Sequence, residues 1–215
     1  MSISSEPRPS WISGQVPRDP VKPKRWLAAP DRCRGEARLD EMTELADHAQ
    51  FEARLAQELE KTRVSGEDFV LMFVDVDELS RVNDEHGCQK GNEAILLVAR
   101  ILQENARGVD LIAHYGDDEF VALIRKASLV WARDFFERIQ AEVAERSRLE
   151  LGVTVRLSAG AVKSLDYSGN AGELVGTADY AMYLAKRQGR DRLFTTVVVG
   201  REDGENGDRV NERGH

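Results

Sequence analysis

An uninterrupted apolar run at residues 69–74 constrains the fold of this chain more than any other feature. The run reads Phe-Val-Leu-Met-Phe-Val and shows no alternation of polar and apolar residues. A short run of this kind is typical of a strand that is buried on both faces. Such a strand needs a layer packed on each side of its sheet, so the sequence predicts a layered domain with this strand inside it.

Helical and strand patterns alternate around this run. Apolar residues at helical spacing extend from Leu39 to Leu59, and Gly66 ends that region. Two apolar runs flank Gly-Asp-Asp-Glu at residues 116–119, which indicates a β-hairpin. Further helices are predicted at residues 79–86, around 94–102, 129–145 and 172–186, and further strands at 111–115, 120–124, 153–162 and 193–198. This order predicts an α+β fold, with a mainly antiparallel central sheet flanked by helices.

The two ends of the chain differ from the middle. All 6 prolines lie within the first 30 residues, without any periodic pattern, which predicts an extended or disordered arm over residues 1–38. The arm contains Trp11 and Trp26, which either form a docking patch for a protein partner or pack on the domain surface. Residues 199–215 are polar and predict a disordered tail. One domain is therefore expected over residues 39–198.

Charge and cysteine content exclude several classes of protein. Lys and Arg number 30 against 38 Asp and Glu, giving a net charge of −8, which argues against a nucleic-acid-binding groove. Cys33 and Cys88 show neither disulfide nor metal-ligand spacing. No apolar stretch is long enough to span a membrane and none resembles a secretion signal. We therefore expect a cytoplasmic protein without a membrane or nucleic-acid partner.

Acidic residues follow the buried strand and occupy the hairpin tip. Asp75 and Asp77 come directly after the apolar run, where carboxylate oxygens suit Mg²⁺. Both could instead cap the following helix, the interpretation we favour for Asp77. Asp117, Asp118 and Glu119 repel one another unless a cation is nearby, although they could form a solvated turn. If the two strands are neighbours, Asp75 and Asp118 reach the same ion.

Weaker signals accompany these acids. Asn83 and Asn92 carry amides that could read a purine edge or serve as turn residues. Lys186 lies four residues before Arg190 at a predicted helix end, where basic side chains either hold phosphates or favour the helix dipole. Arg107 and Asp110 lie three apart before the hairpin, a spacing that most often marks a surface ion pair.

Taken together, residues 39 to about 196 resemble the GGDEF domain, the diguanylate cyclase domain that condenses two GTP molecules into cyclic di-GMP. Residues 73–87, Phe-Val-Asp-Val-Asp-Glu-Leu-Ser-Arg-Val-Asn-Asp-Glu-His-Gly, resemble the family segment Asp-x-Asp-x-x-Lys-x-x-Asn-Asp. Residues 115–120 resemble the signature hairpin, and residues 178–190 resemble the C-terminal family pattern. Arg107-Gly-Val-Asp110 resembles the Arg-x-x-Asp inhibitory site, which binds the product.

The resemblance assigns a role to each candidate residue. It implies that Asp75, the Val76 carbonyl and Asp118 bind Mg²⁺ or Mn²⁺, and that Asp118 and Glu119 are the catalytic acids. The implied substrate-binding residues for GTP are Asn83, Asn92, Ser80, Lys186 and Arg190. The implied cyclic di-GMP site consists of Arg107 and Asp110. Because catalysis in the family joins two half-sites, a homodimer is a further implied partner.

Several residues depart from the family pattern. Asp117 stands where the second signature Gly is expected, Ser80 replaces a Lys, Asn92 replaces an Asp and His114 replaces an Arg. Two unit charges about 4 Å apart at an effective dielectric near 20 repel by about 4 kcal/mol, so Asp117 is expected to oppose a triphosphate. We therefore expect a degenerate bacterial signalling domain that binds cyclic di-GMP and makes little or none. The alternatives are an active diguanylate cyclase and a scaffold that binds a downstream protein, through the N-terminal arm for example.

Overall fold

The computed structural model describes residues 39–165 and 170–199. The predicted arm at residues 1–38, with Trp11 and Trp26, lies outside the described residues. So does the predicted tail, except for Val199, which belongs to the last strand. No helix within the described ranges combines the length and apolarity needed to cross a bilayer.

Five α-helices, one π-helical turn and five strands make up this part of the chain. The helices are α1 (His48–Ser65), α2 (Leu79–His86), α3 (Cys88–Asn105), α4 (Leu129–Arg146) and α5 (Ala171–Arg187). The strands are β1 (Phe69–Asp77), β2 (Leu111–His114), β3 (Glu119–Arg125), β4 (Arg156–Leu165) and β5 (Leu193–Val199). They form one sheet in the order β2-β3-β1-β4-β5. All neighbours are antiparallel except β4 and β5, which confirms the predicted α+β fold.

The apolar run that dominates the sequence becomes the central strand of this sheet. Every residue of β1 is buried, as expected for a strand covered on both faces. Successive side chains of a strand point to opposite faces. The even-numbered residues of 70–74 belong to a core cluster with α3 and α4, and the odd-numbered residues of 69–73 to a second cluster with α1 and α5. Two helical layers therefore enclose the sheet.

Two of the boundaries that differ from the sequence prediction have an identifiable cause. Helix α1 begins at His48 rather than near Leu39, because the Asp47 carboxylate caps it by accepting the Gln50 N–H at 2.7 Å. Strand β4 begins at Arg156 rather than Val153, because residues Ser147–Leu151 form a π-helical turn that extends α4. Both predictions relied on apolar spacing, which does not register a cap or a bulged turn.

Helix α5 approaches strand β4 unusually closely. A Cβ atom added at Gly160 would lie 2.1 Å from the backbone nitrogen of Met182 and 2.3 Å from the carbonyl oxygen of Ala178. Only glycine permits this separation, so the backbones of β4 and α5 pack directly on each other. This contact fixes the end of α5, where Lys186 lies, beside the central strand.

Candidate functional site

A cavity of about 360 Å³ opens where β1 ends. Residues 75–81 form one wall, Asp118 of the hairpin contributes a second, and Lys186 and Arg190 contribute a third. The cavity therefore brings two predicted metal-binding carboxylates together with two predicted phosphate-binding cations. Ser80, predicted to bind substrate, also lies in its wall.

The hairpin tip lies directly beside the end of β1, as the sequence analysis required for a shared ion. Asp75 pairs with Glu119 in the antiparallel register, and the Val76 N–H donates to the Asp118 carbonyl at 3.0 Å. Because these bonds belong to a five-stranded sheet, they hold the hairpin acids rigidly against β1. The relative placement of Asp75 and Asp118 thus follows from strand pairing alone.

Asp75 is the most strongly perturbed acid of the cavity. Only 3% of its side chain is exposed, and its carboxylate accepts a hydrogen bond from the Lys186 ammonium group. Burial raises the pKa of Asp75 to about 7, against the lowering effect of Lys186, and the charges of Asp118 and Glu119 raise it further. A divalent cation near Asp75 relieves both effects, since it adds more positive charge than the Lys186 ammonium alone supplies.

Asp77 does not cap helix α2, so the interpretation favoured from the sequence is wrong. The residue that precedes the helix is Glu78, which makes no side-chain cap bond. The Asp77 carboxylate instead accepts the Ser158 hydroxyl at 2.8 Å and the Asp191 N–H at 3.0 Å. It thereby anchors the loop after α5. Nor does Asp75 act as a cap, since β1 continues through Asp77.

The anchored loop places Arg190 in the cavity wall. Arg190 and Asp191 both adopt positive φ angles, 60° and 52°, which are uncommon for residues other than glycine. The Asp191 carboxylate accepts from Gln140 at 2.7 Å and also binds Arg156. Sequence reasoning missed this support because the supporting residues belong to α4 and β4, far along the chain from Arg190.

Asp117 lies at the exposed tip of the hairpin. None of the described residues with positive φ belongs to this turn, so aspartate fits the backbone without strain. Asp117 is also not among the described residues that line the cavity. Its charge therefore acts on the cavity from outside its walls, where water and salt weaken it.

The carboxylates fit a divalent ion that brings some of its own ligands. Within residues 39–165 and 170–199, no group of three or more His, Cys, Asp or Glu side chains is arranged to hold a metal. Asp75 and Asp118 offer carboxylates, and Val76 a backbone carbonyl, on one side of the cavity. Mg²⁺ commonly binds one or two carboxylates and completes its shell with phosphate and water. The donor set suits an ion that binds together with a phosphate.

The two candidate base-reading residues lie on adjoining helices. Asn83 of α2 packs so closely on Gly91 of α3 that a Cβ there would lie 1.9 Å from Asn83 Oδ1. That oxygen is buried and has no hydrogen-bond partner among the described residues. Asn92 is exposed one residue further along α3. Neither residue is among those described as lining the cavity, so the site brings them near each other but not onto its walls.

Arg107 and Asp110 form a closed pair at the opposite end of β3. The Arg107 Nε and Nη2 groups donate to the two Asp110 carboxylate oxygens, each at 2.9 Å. The backbone N–H groups of Arg107 and Arg125 donate to the same oxygens, each at 3.1 Å. The Asp110 side chain is 1% exposed and accepts these four bonds, whereas 40% of the Arg107 side chain is exposed. Asp110 therefore orients Arg107 in this structure.

An aromatic ring completes the Arg107 site. The Arg107 guanidinium lies over the indole of Trp131, 4.4 Å from the ring centroid. Its Nη2 group also donates to the Arg125 carbonyl at 2.7 Å, while no hydrogen bond from Nη1 exists within the described ranges. The sequence analysis missed Trp131, although its position at the start of the helix after β3 was a usable signal.

The sequence of this chain is similar to those of known proteins. A family model described as "Diguanylate cyclase, GGDEF domain" matches residues 37–192. Diguanylate cyclase DgcP of Pseudomonas aeruginosa is 35% identical over 161 residues, which cover 74% of this chain and 24% of that protein. Diguanylate cyclase TpbB of the same species is 32% identical over 158 residues, covering 72% of this chain and 36% of that protein. The chain thus spans about a quarter to a third of the length of these two relatives.

Solved structures show the same architecture. The GGDEF domain of DgcB from Caulobacter crescentus, in complex with c-di-GMP, superposes with a TM-score of 0.69 at 26% identity. That match covers 76% of this chain and 98% of the DgcB chain. Diguanylate cyclase SiaD from P. aeruginosa, in complex with its activator SiaC, gives a TM-score of 0.69 at 28% identity, covering 74% of this chain and 61% of SiaD.

Proposed function

We propose, since this chain belongs to the GGDEF family of diguanylate cyclase domains and thus to cyclic di-GMP signalling, that it is a receptor for cyclic di-GMP with little or no synthesis of its own. The observation that supports this function is the Arg107 site. Arg107 is oriented by Asp110, stacked on Trp131 and yet 40% exposed. A cation held in this way can bind an anionic ligand without first being ordered.

The chemistry of cyclic di-GMP matches what Arg107 offers. A guanidinium presents planar donors that suit phosphate oxygens and the acceptor edge of guanine, and its face can stack on a purine. Trp131 covers one face of the guanidinium, which leaves the other face for a base. The Nη1 group, without a partner in the described part of the chain, supplies donors for the ligand.

Asp110 would act on the ligand chiefly through Arg107. Its carboxylate already accepts four hydrogen bonds, which is about the capacity of two carboxylate oxygens. Acceptance from guanine N1 and N2 would therefore compete with the bonds that hold Arg107 in place. The arrangement favours binding through Arg107, with Asp110 holding the guanidinium in position.

Weak synthesis is supported by the cavity at the other end of β3. Ser80 stands in the cavity wall where the family pattern has a lysine, which removes one attraction for phosphate. Lys186, a second phosphate-binding candidate, is engaged by Asp75. A triphosphate must therefore share the Lys186 ammonium with Asp75 or compete with Asp75 for it.

Calorimetric titration with cyclic di-GMP tests the receptor function. Arg107→Ala is expected to weaken binding about tenfold or more, the effect of roughly 1.5–3 kcal/mol from a charged hydrogen bond. Arg100→Ala is the matched control, since Arg100 is an exposed arginine on α3 whose partner is Glu150. Equal affinity for wild type and Arg107→Ala, or no binding at ligand concentrations of about tens of micromolar, would contradict the receptor function.

A second candidate function is favoured by one observation. Asp117 neither strains the hairpin nor lines the cavity, so the acids and cations of the cavity retain an arrangement suited to Mg²⁺ and GTP. On this alternative the protein is an active diguanylate cyclase, and two copies must meet to join two GTP molecules. Product chromatography at saturating GTP and Mg²⁺ decides between them, since turnover of about 1 s⁻¹ or faster would establish the enzyme.

A further inference from the structure

Three cations from the described part of the chain contribute to the cavity wall, and they are not equivalent. Arg81 is paired with Glu85 on the exposed face of α2, with 2.8 Å between Nε and the carboxylate. The Arg190 side chain has no ion pair or hydrogen bond within the described ranges. Lys186 alone contacts Asp75, from a position 111 residues further along the chain. Among the described cations of the wall, Lys186 is thus the one that serves Asp75, the most deeply buried acid of the cavity.

The ion pair between Asp75 and Lys186 is asymmetric in its burial. The Asp75 side chain is 3% exposed and fixed in the central strand, whereas 33% of the Lys186 side chain is exposed. Lysine carries its charge on a flexible stem with a strongly hydrated ammonium group, so it can leave for solvent at low cost. Asp75 cannot follow it. Departure of Lys186 leaves a buried carboxylate that needs another cation.

The Lys186 ammonium contacts one of the two Asp75 carboxylate oxygens, and a divalent ion at this cavity would compete for the same carboxylate. A metal ion bound to Asp75 and Asp118 would lie within a few ångströms of the ammonium group, and the two positive charges would repel strongly in this partly buried site. The two cations therefore exclude each other at Asp75. Within the same cavity, a displaced Lys186 remains beside Arg190, on the wall that faces a bound phosphate.

We propose that Lys186 is an exchangeable counter-ion of Asp75, which neutralises this carboxylate until a divalent cation displaces it toward phosphate. Metal entry releases Lys186, and a phosphate that holds Lys186 keeps Asp75 available to the metal. Metal and phosphate then bind with positive coupling. The metal frees Lys186 for the phosphate, and the phosphate keeps Lys186 from competing with the metal for Asp75. This inference concerns the cavity and stands independently of the receptor function at Arg107.

Binding of Mn²⁺ to the full chain without nucleotide provides the test, read from the paramagnetic resonance signal of the free ion. Lys186→Met is expected to bind Mn²⁺ about tenfold tighter than wild type, since a charged hydrogen bond no longer has to be broken first. Arg81→Met removes the same charge from the same cavity wall without touching Asp75, and its affinity is expected to stay within about threefold of wild type. Lys186→Met with Asp75→Asn should lose this tight binding.

Three results would overturn the inference. They are equal Mn²⁺ affinities for Lys186→Met and wild type, equal gains for Lys186→Met and Arg81→Met, and no Mn²⁺ binding by either wild type or Lys186→Met. Wild-type protein labelled with ¹⁵N-lysine gives a second measurement that needs no folded variant. The Lys186 ammonium resonance is expected to lose its protection from exchange as Mg²⁺ binds. A resonance that stays protected while the Asp75 carboxyl carbon shifts would also overturn the inference.

Discussion

Replacement of Gly160 by alanine is expected to destabilise the domain severely. The added Cβ would lie 2.1 Å from Met182 N, 2.3 Å from Ala178 O and 2.7 Å from Ala181 C. All three atoms belong to the backbone of α5, so no side-chain rotation can relieve the overlap. The helix must move away from β4 by about an ångström or more to restore ordinary contact distances.

The size of this effect follows from the packing. Overfilling a core usually costs about 1–3 kcal/mol where side chains can rearrange, and we expect about 3 kcal/mol or more where they cannot. Replacing a strand glycine by alanine also stabilises the fold by less than about 1 kcal/mol, because alanine loses less backbone entropy on folding. The net loss is a large part of the roughly 5–15 kcal/mol that stabilises a typical domain. A shifted α5 also separates Lys186 from Asp75.

Urea unfolding followed by circular dichroism measures the loss. Gly176→Ala is the matched control, because Gly176 lies at an exposed position of α5 and its added Cβ would meet nothing within 4 Å. We expect this control to be neutral or to gain up to about 1 kcal/mol from helix propensity. A Gly160→Ala protein within about 1 kcal/mol of wild type would refute the close contact between β4 and α5.

Two further substitutions test the electrostatics of the domain. Asp117→Gly is expected to tighten the binding of GTP with Mg²⁺ by less than about tenfold, measured by calorimetry, because the charge that it removes is exposed and screened. A larger gain in affinity would mean that Asp117 contacts the phosphates directly. At Glu58, burial alone would raise the pKa, but a hydrogen bond from Lys61 and the charge of Arg125 outweigh it and hold the pKa below its ordinary value. A lowered pKa stabilises the fold above the ordinary value of 4.5, and this stabilisation is lost as the pH falls through the folded-state pKa. Glu58→Gln should therefore be less stable than wild type at neutral pH and lose less free energy of unfolding between about pH 5 and pH 3. Parallel pH profiles for the two proteins would contradict this role of Glu58.

Most of the fold could be predicted from local patterns. The apolar run at residues 69–74 identified the central strand, and the pattern at residues 79–86 matched helix α2 over its whole length. The predictions failed where apolar spacing competed with a specific polar contact. Residues 39–47 have helical spacing, yet the Thr43 N–H donates to the Asp40 carboxylate at 2.8 Å and Asp47 starts the helix.

The candidate site was predictable only in part. Strand pairing of the hairpin with the apolar run was enough to place Asp118 beside Asp75, because that neighbourhood depends on one sheet contact. The contact of Lys186 with Asp75 depends on how closely α5 approaches β4, which the sequence expresses only through Gly160. The support of Arg190 by Asp77 requires a loop with positive φ angles, for which neither Arg190 nor Asp191 is a usual residue.

The cavity and the Arg107 site lie at opposite ends of strand β3. Glu119 pairs with Asp75 at the cavity, and Arg125 supplies the N–H that binds Asp110 at the other end. A strand rises about 3.3 Å per residue, so these ends are about 20 Å apart. Changes at sites more than about 10 Å apart that share no partner usually add independently, so one site can degenerate while the other persists.

This separation gives a prediction that tests whether cyclic di-GMP binds at Arg107 or in the cavity. Asp75→Asn is expected to change the affinity for cyclic di-GMP by less than about twofold, and the double variant with Arg107→Ala to bind as weakly as Arg107→Ala alone. Calorimetric titration of the three variants and wild type measures both effects. Asn removes the ion pair with Lys186 but leaves the backbone of β1 and its partners in place. If Asp75→Asn weakens binding by about tenfold or more, cyclic di-GMP occupies the cavity, and Arg107 is not its principal contact.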